Sequence, residues 1–240
     1  MREQVEQQIA TALRGVPLFR LLDERQAREL ARVAHRYRYG AGQRIVTQGD
    51  TGDSFYVILS GQVKVSVMSP EGQEAILVVL DAGEGFGEFA LLDDQPRSAT
   101  IEATLPTEAV ALRKGDFTRL LRQMPDIAIG LLKVLTKRLR DTDQLVQDAA
   151  FLDVGDRLAK KLLILMDTHG RPGPQGSIEL NLRLTQGELA SMIGATRESV
   201  NKQLGAFRNE GVVAIDRQRI VILRPQSLRD RVDAFESALD

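Results

Sequence analysis

The chain has 240 residues, 43% of them hydrophobic and 27% charged, with a formal net charge of −1 and no cysteine. That length suits one large domain or two small ones of about 100–150 residues each. The composition excludes disulfides, thiolate chemistry, cysteine-ligated zinc and iron–sulfur clusters, and a near-neutral chain is not built as a non-specific polyanion binder.

Met1-Arg2-Glu3-Gln4 opens a polar helical pattern with no signal-peptide core, and no apolar run approaches the ~20 residues that span a bilayer. A cytoplasmic protein with no membrane partner is expected. Gln26, Leu30 and Val33 mark a short amphipathic lead-in. From 45 to 112 apolar residues alternate: Val57 and Leu59 face one way, Tyr56 and Ile58 the other, Gly61 turns, and Val63, Val65 and Val67 resume the pattern. Ser69-Pro70-Glu71-Gly72 signals a turn, with strands expected at 75–80, 101–103 and 109–112. Short strands between glycine-rich turns predict a sandwich or jelly roll.

The period becomes helical from about Phe117. Ala128, Leu132, Leu135, Leu139, Thr142 and Val146 step as an a/d seam, flanked by Lys133, Lys137, Arg138, Arg140, Asp141 and Asp143. Such a narrow seam needs a partner, either its own copy or its own barrel. Asp153, three residues before Asp156, predicts the N-cap of a helix reaching about Met166. Residues 170–176, with Pro172 and Pro174, read as a loop.

Thr185-Gln186-Gly187-Glu188 has the form of a capping box. Ala190 is small where helices cross, Gly194 suits a turn of positive φ, and Thr196 can cap a second helix with Val200 and Leu204 inward. Gly211 stops that helix, and residues 215–221 predict a β-hairpin, completing a winged helix-turn-helix. Arg197, Glu198 and Lys202 leave the second helix outward. Arginine and lysine suit guanine, and glutamate can accept from cytosine. Glu198 and Lys202 could instead be an i,i+4 surface pair. Thr185 and Ser199, near helix starts, are placed to hold phosphates. Residues 183–224 hold seven Arg/Lys against four Asp/Glu, a local excess of three positives.

Residues 83–92 form a glycine-rich approach to a short helix, followed by Pro96-Arg97-Ser98-Ala99-Thr100. Backbone amides, Arg97 and Ser98 compose a phosphate cradle. Glu88 would repel phosphate unless aimed elsewhere, and a sugar hydroxyl is its natural target. The chemistry reads as a small sugar phosphate, or as turn glycines beside a surface arginine.

The F-G-E-x-x-L-L…R-S-A-T string, the Gly49…Phe55-Tyr56-Val57-Ile58…Gly61 pattern, the Ala150-Phe151-Leu152-Asp153-Val154 hinge and the R-E-S-V-N-K reader together resemble the cyclic-AMP receptor (CRP/FNR) family of bacterial transcription regulators, over about residues 15–225. The resemblance implies an α+β chain: a cyclic-nucleotide-binding β jelly roll with its helical lead-in (1–116), a long dimerisation helix (117–150) and a winged helix-turn-helix DNA-binding domain (151–240). It implies a homodimer with cyclic AMP as allosteric ligand, no catalytic cofactor, double-stranded DNA with palindromic TGTGA-like half-sites, and RNA polymerase as a further partner. Carried over by residue, Glu88 is similar to the family's ribose-hydroxyl acceptor and Arg97 and Ser98 to its phosphate ligands, with Gly87 and Phe89 in the same string. Val65, Leu77 and Leu80 fall where the family lines the base, and Thr142 where a hydroxyl meets the adenine amine. Asp143 stands where a serine usually reaches the other subunit's ligand. Lys202 stands where arginine is often found, which keeps the charge and loses the bidentate fork.

The competing expectations are a same-fold regulator with another signal, a ligand-independent relative, a nucleotide enzyme, and a scaffold with a degenerate head. His35 lies ahead of the barrel, where it would not serve a haem, and hydrolysis would need a metal site or placed base.

Overall fold

The computed structural model describes residues 2–20, 22–180, 182, 184–216 and 219–236. They fall into two compact units, 1–140 and 141–240.

The first unit opens with helices α1 (Arg2–Arg14) and α2 (Glu24–Val33). Eight strands follow: β1 (His35–Tyr39), β2 (Arg44–Val46), β3 (Ser54–Ser60), β4 (Gln62–Met68), β5 (Glu74–Asp81), β6 (Gly85–Phe86), β7 (Thr100–Ala103) and β8 (Thr107–Arg113). A one-turn helix, α3 (Phe89–Leu92), sits between β6 and β7. The strands form two antiparallel four-stranded sheets, ordered β1-β8-β3-β6 and β2-β7-β4-β5. The expected alternation in β3 has a structural purpose, because both of its faces are buried. Phe55 and Val57 pack among Leu13, Phe19 and Phe117 of the helical layer. Ile58 points into the sandwich against Val63, Leu80, Phe86 and Ile101. Apolar residues on both faces are what a strand between two layers requires.

Two expectations need correction, and one strand was not expected. Strand β1, His-Arg-Tyr-Arg-Tyr, in which tyrosine alternates with arginine, pairs with β8 from His35↔Ala111 to Tyr39↔Thr107. Its arginines Arg36 and Arg38 both reach Glu108 on the neighbouring strand. The helix expected from 117 to 150 is two helices, α4 (Lys114–Gln123) and α5 (Pro125–Phe151). Met124 leaves the helical region at φ −135°, ψ 80° because a residue before proline is pushed out of it, and Pro125 then starts the next helix. Residues 170–176 are not simply a loop: β9 (Gly170–Pro172) pairs with β10 (Ile178–Leu180), joined by a short 3₁₀ turn.

The second unit contains α6 (Val154–His169), α7 (Gln186–Ile193), α8 (Arg197–Asn209), β11 (Val213–Asp216), β12 (Arg219–Ile222) and α9 (Pro225–Glu236). The hairpin β11–β12 is present as expected, although its turn residues 217 and 218 lie outside the described residues. It belongs to a four-stranded sheet ordered β11-β12-β10-β9. Helix α9 packs on α6 with Leu228 and Val232 buried. Its Arg231 reaches Asp156 at 2.5 Å and Asp153 at 3.6 Å.

Asp153 caps α6 as its sequence position predicts, accepting from Asp156 N at 2.8 Å. That backbone hydrogen bond chiefly, with Arg231 assisting, holds its carboxyl below the usual range. A carboxyl depressed in the fold adds stability above its unfolded pKa and loses it as pH falls through the folded value. Asp153→Ala is expected to cost about 1 kcal/mol at neutral pH. That cost should begin to fade below about pH 4, where the unfolded carboxyl protonates, and go as pH falls through the lower folded value. Thermal unfolding at pH 7 and pH 3 measures both, and an equal loss at the two values would remove the cap from the account.

Candidate functional site

The first unit gathers the cassette around a buried arginine. Arg97 is only 6% exposed and lies between two glycines. A Cβ on Gly52 would collide with its Nε, and one on Gly87, where φ is +88°, would lie 2.5 Å from its Nη1. Only glycine at both positions lets the backbone close on the guanidinium from either side. Arg97 Nη1 donates to Gly87 O at 2.9 Å and Nη2 to Ser54 O at 2.8 Å. The guanidinium carbon lies 5.9 Å from the centre of the Tyr56 ring, which stacks on Phe86. Burial pushes the Tyr56 hydroxyl up, with Arg97 opposing, so the phenol stays neutral. Among the described residues no carboxylate pairs with Arg97. A buried cation held by neutral carbonyls and an aromatic face is incomplete electrostatically, and an anion is the group that completes it.

Glu88 is 3% exposed and precedes α3 without capping it. One oxygen meets Arg138 Nη1 of α5 at 2.5 Å, while the other, Oε2, is buried with no hydrogen-bond partner. Arg138 also donates to Gly85 O. The carboxylate is therefore turned toward a cation, and its orphan oxygen is an acceptor waiting for a donor such as a hydroxyl.

The remaining expected residues scatter more. Gly87 is half-buried, while Phe89 and Ser98 are exposed beside the cassette. Leu80 lies in the sandwich core with Val65 packed against it. Leu77 is 42% exposed. Ile76 and Leu80, at positions of the same parity, are the buried residues of β5, so alternation sets Leu77 on the other face, beside the register shift where Val65 pairs with Val78 and Ser66 with Ile76. Thr142 and Asp143 are exposed positions of α5 that fall in the second unit. Gly52, Ser54 and Arg138 were not singled out from sequence. The pattern around Gly49 and Phe55 ran past the first two, and Arg138 stood only among the seam's charged flanks.

In the second unit the helix-turn-helix forms as its caps predict. Glu188 N donates to Thr185 Oγ1 at 3.1 Å while Thr185 N donates to Glu188 Oε2 at 2.8 Å. Gly194 adopts φ 60°, ψ 45°. Arg157, unnoticed in sequence, closes the end of α7 by donating to Ile193 O at 2.9 Å. Thr196 accepts from Ser199 N at 3.2 Å, and their hydroxyls lie 2.9 Å apart. The hydroxyls of Thr185 and Ser199 thus serve the helix starts. Val200 and Leu204 are buried inward, and Arg197, Glu198, Asn201 and Lys202 are exposed together on the outer face of α8. Among the described residues no ion pair joins Glu198 to Lys202, which leaves both carrying an uncommitted charge. No group of three or more metal-ligating side chains occurs among the described residues, and no helix there is long and apolar enough to cross a membrane.

Residues 36–124 match the cyclic nucleotide-binding domain family, and residues 156–231 match the Crp-like helix-turn-helix domain family. The chain is 33% identical over 190 residues to the CRP-like cAMP-activated global transcriptional regulator of Mycobacterium tuberculosis, covering 79% of this chain and 84% of that one. It is 35% identical over 203 residues to the cyclic AMP receptor protein of Thermus thermophilus, covering 85% and 90%. A solved CRP/FNR-family transcriptional regulator of Thermus thermophilus superposes with a TM-score of 0.68 at 26% identity, over 84% of this chain and all of that one. A sensory jelly roll followed by a long helix and a capped reading head, with these relatives along most of its length, places the chain in the CRP/FNR family of DNA-binding transcription regulators.

Proposed function

We propose that the chain is a homodimeric transcription regulator whose binding to palindromic DNA is switched by a cyclic nucleotide, cyclic AMP. The observation that carries the ligand is the pairing of two incomplete groups in one cassette. Arg97 is a buried cation without a carboxylate, and Glu88 Oε2 is a buried acceptor without a donor. A cyclic phosphate answers the first and a ribose hydroxyl the second. In this reading 1–116 senses, 117–150 dimerises and 151–240 reads DNA. Ser98 and the backbone at Gly87 and Phe89 assist at the phosphate, Val65, Leu77 and Leu80 lie toward the base, and Thr142 meets the adenine amine. Calorimetric titration with cyclic AMP and cyclic GMP tests it: binding of the first over the second is expected, and binding of neither rejects the ligand.

The second reading is a regulator that works without a nucleotide or with another small ligand. It draws on the same cassette, because Gly87 O and Ser54 O already hold Arg97 and Arg138 already holds Glu88. Equal DNA affinity with and without cyclic AMP selects it.

For the reading head, a two-fold dimer presents two α8 helices to successive major grooves about 34 Å apart. Arg197 and Lys202 contact guanines and Glu198 accepts from a cytosine amine, within a TGTGA-like half-site. RNA polymerase is the further partner in this reading. Site selection in vitro with Glu198→Ala is expected to relax one base position at a cost of about 1–3 kcal/mol on the preferred site. Selection of an unchanged half-site with uniformly lower affinity makes Glu198 a surface residue.

A further inference from the structure

On the outer face of α5, Leu132, Leu139 and Val146 recur every seventh residue and are 61%, 62% and 64% exposed. Taken as a positions, they put Leu135 and Thr142 at d, the seam of a two-stranded coiled coil. On that lettering Arg138 is g and Asp143 is the e of the following heptad. In a parallel, in-register pair of helices, a g residue faces that next e residue of the other strand, and charged e/g pairs set partner and direction. The neighbouring g/e combinations along the seam, Leu131 with Thr136 and Leu145 with Ala150, carry no charge. Arg138 and Asp143 are thus a complementary pair that only the parallel alignment brings together. An antiparallel pair sets g against g and e against e.

Only one of the two is free at the surface. Arg138 is engaged at the ligand cassette, bound to Glu88 and to Gly85 O, with 23% of its side chain exposed. Asp143 is exposed, and among the described residues no cation pairs with it. We propose that Asp143 of each protomer pairs with Arg138 of the partner subunit, so that Arg138 joins its own Glu88 to the other chain's helix. This rests on the parallel dimer of the proposed function. A planar guanidinium presents N–H donors along more than one edge, so it can serve two carboxylates at once. Asp143 then acts as a positioning residue: it aims Arg138, and through it Glu88, from across the interface. Assembly and the ligand cassette are connected by this one side chain.

The test uses the full chain. Because it has no cysteine, Val146→Cys on the two-fold seam is a clean reporter, forming a disulfide under mild oxidant only in a parallel, in-register dimer. Wild type, Asp143→Asn and Asp143→Glu are compared with and without this reporter, by cross-linking and by sedimentation equilibrium without ligand. Expected are cross-linking by the reporter, dimerisation weakened roughly tenfold by Asp143→Asn at low salt, and recovery in Asp143→Glu. The difference should vanish near ~1 M salt, where the screening length is only about 3 Å. Cross-linking together with a dimer constant that Asp143→Asn leaves unchanged overturns the pair while the parallel dimer stands. An unchanged dimer constant with a lost preference for cyclic AMP over cyclic GMP also overturns it, and assigns Asp143 to the base. A wild-type monomer whose reporter never cross-links overturns the pair and the dimer together.

Discussion

Replacing Arg97 by alanine should weaken cyclic AMP binding by about 2 kcal/mol or more, roughly thirtyfold, because a charged hydrogen bond to phosphate is lost from a buried site. The structure adds a second consequence. Arg97 also satisfies Gly87 O and Ser54 O, and it fills the gap between Gly52 and Gly87. Its removal leaves two carbonyls without their donor and a void beneath Tyr56, so the jelly roll itself should be less stable. Arg97→Lys separates the two effects: a point charge is kept, while the planar fork that spans both carbonyls is not. Calorimetric titration of both variants, with thermal unfolding alongside, measures each part. Wild-type affinity in a folded Arg97→Ala protein would remove the phosphate from this cassette.

The other large effect is expected at Leu139→Lys. Leu139 is 62% exposed on α5 and contributes nothing to its own unit's core, so the substitution should not unfold the jelly roll. In a parallel dimer it sets two lysines against each other at an a position, costing several kcal/mol through lost apolar burial and unpaired charge. The variant should sediment as a monomer at micromolar concentration, with its jelly roll folded and its affinity for a palindromic site strongly reduced. Leu135 is a poorer place for this experiment. It packs against its own unit's core beside Ile127 and Leu131, and a lysine there would disturb the fold as well as the seam. A Leu139→Lys protein that still dimerises would move the interface off this helix.

How far the chain could be read from sequence follows from how far apart the interacting groups lie. Asp153, Thr185, Thr196 and Gly194 declared their helix ends, because a cap needs one acceptor and one amide a few residues apart, or one residue free to adopt positive φ. The heptad spacing of Leu132, Leu139 and Val146 and the alternation in β3 are legible for the same reason: period and burial are properties of a single segment. Pro125 was legible too, but the strong helical pattern around it obscured the break.

What the sequence did not declare depends on segments brought together from far along the chain. Strand β1 carries only a short alternation of arginine and tyrosine, and its place in the sheet depends on β8, which offers its edge and whose Glu108 receives both arginines. Alternation puts Leu77 on the face of β5 opposite Ile76 and Leu80, but that this face is the exposed one is set by the layers packed around the strand. Residue identity alone made Glu88 and Arg97 ligand candidates. That Arg97 lies between Gly52 and Gly87, and that Arg138 arrives from fifty residues downstream to hold Glu88, are decisions of the tertiary structure. The sequence by itself determined the family, the order of sensor, seam and reader, and the helix ends. The packed fold decided which buried charges are paired and which are not, because burial and pairing are set by neighbours in space.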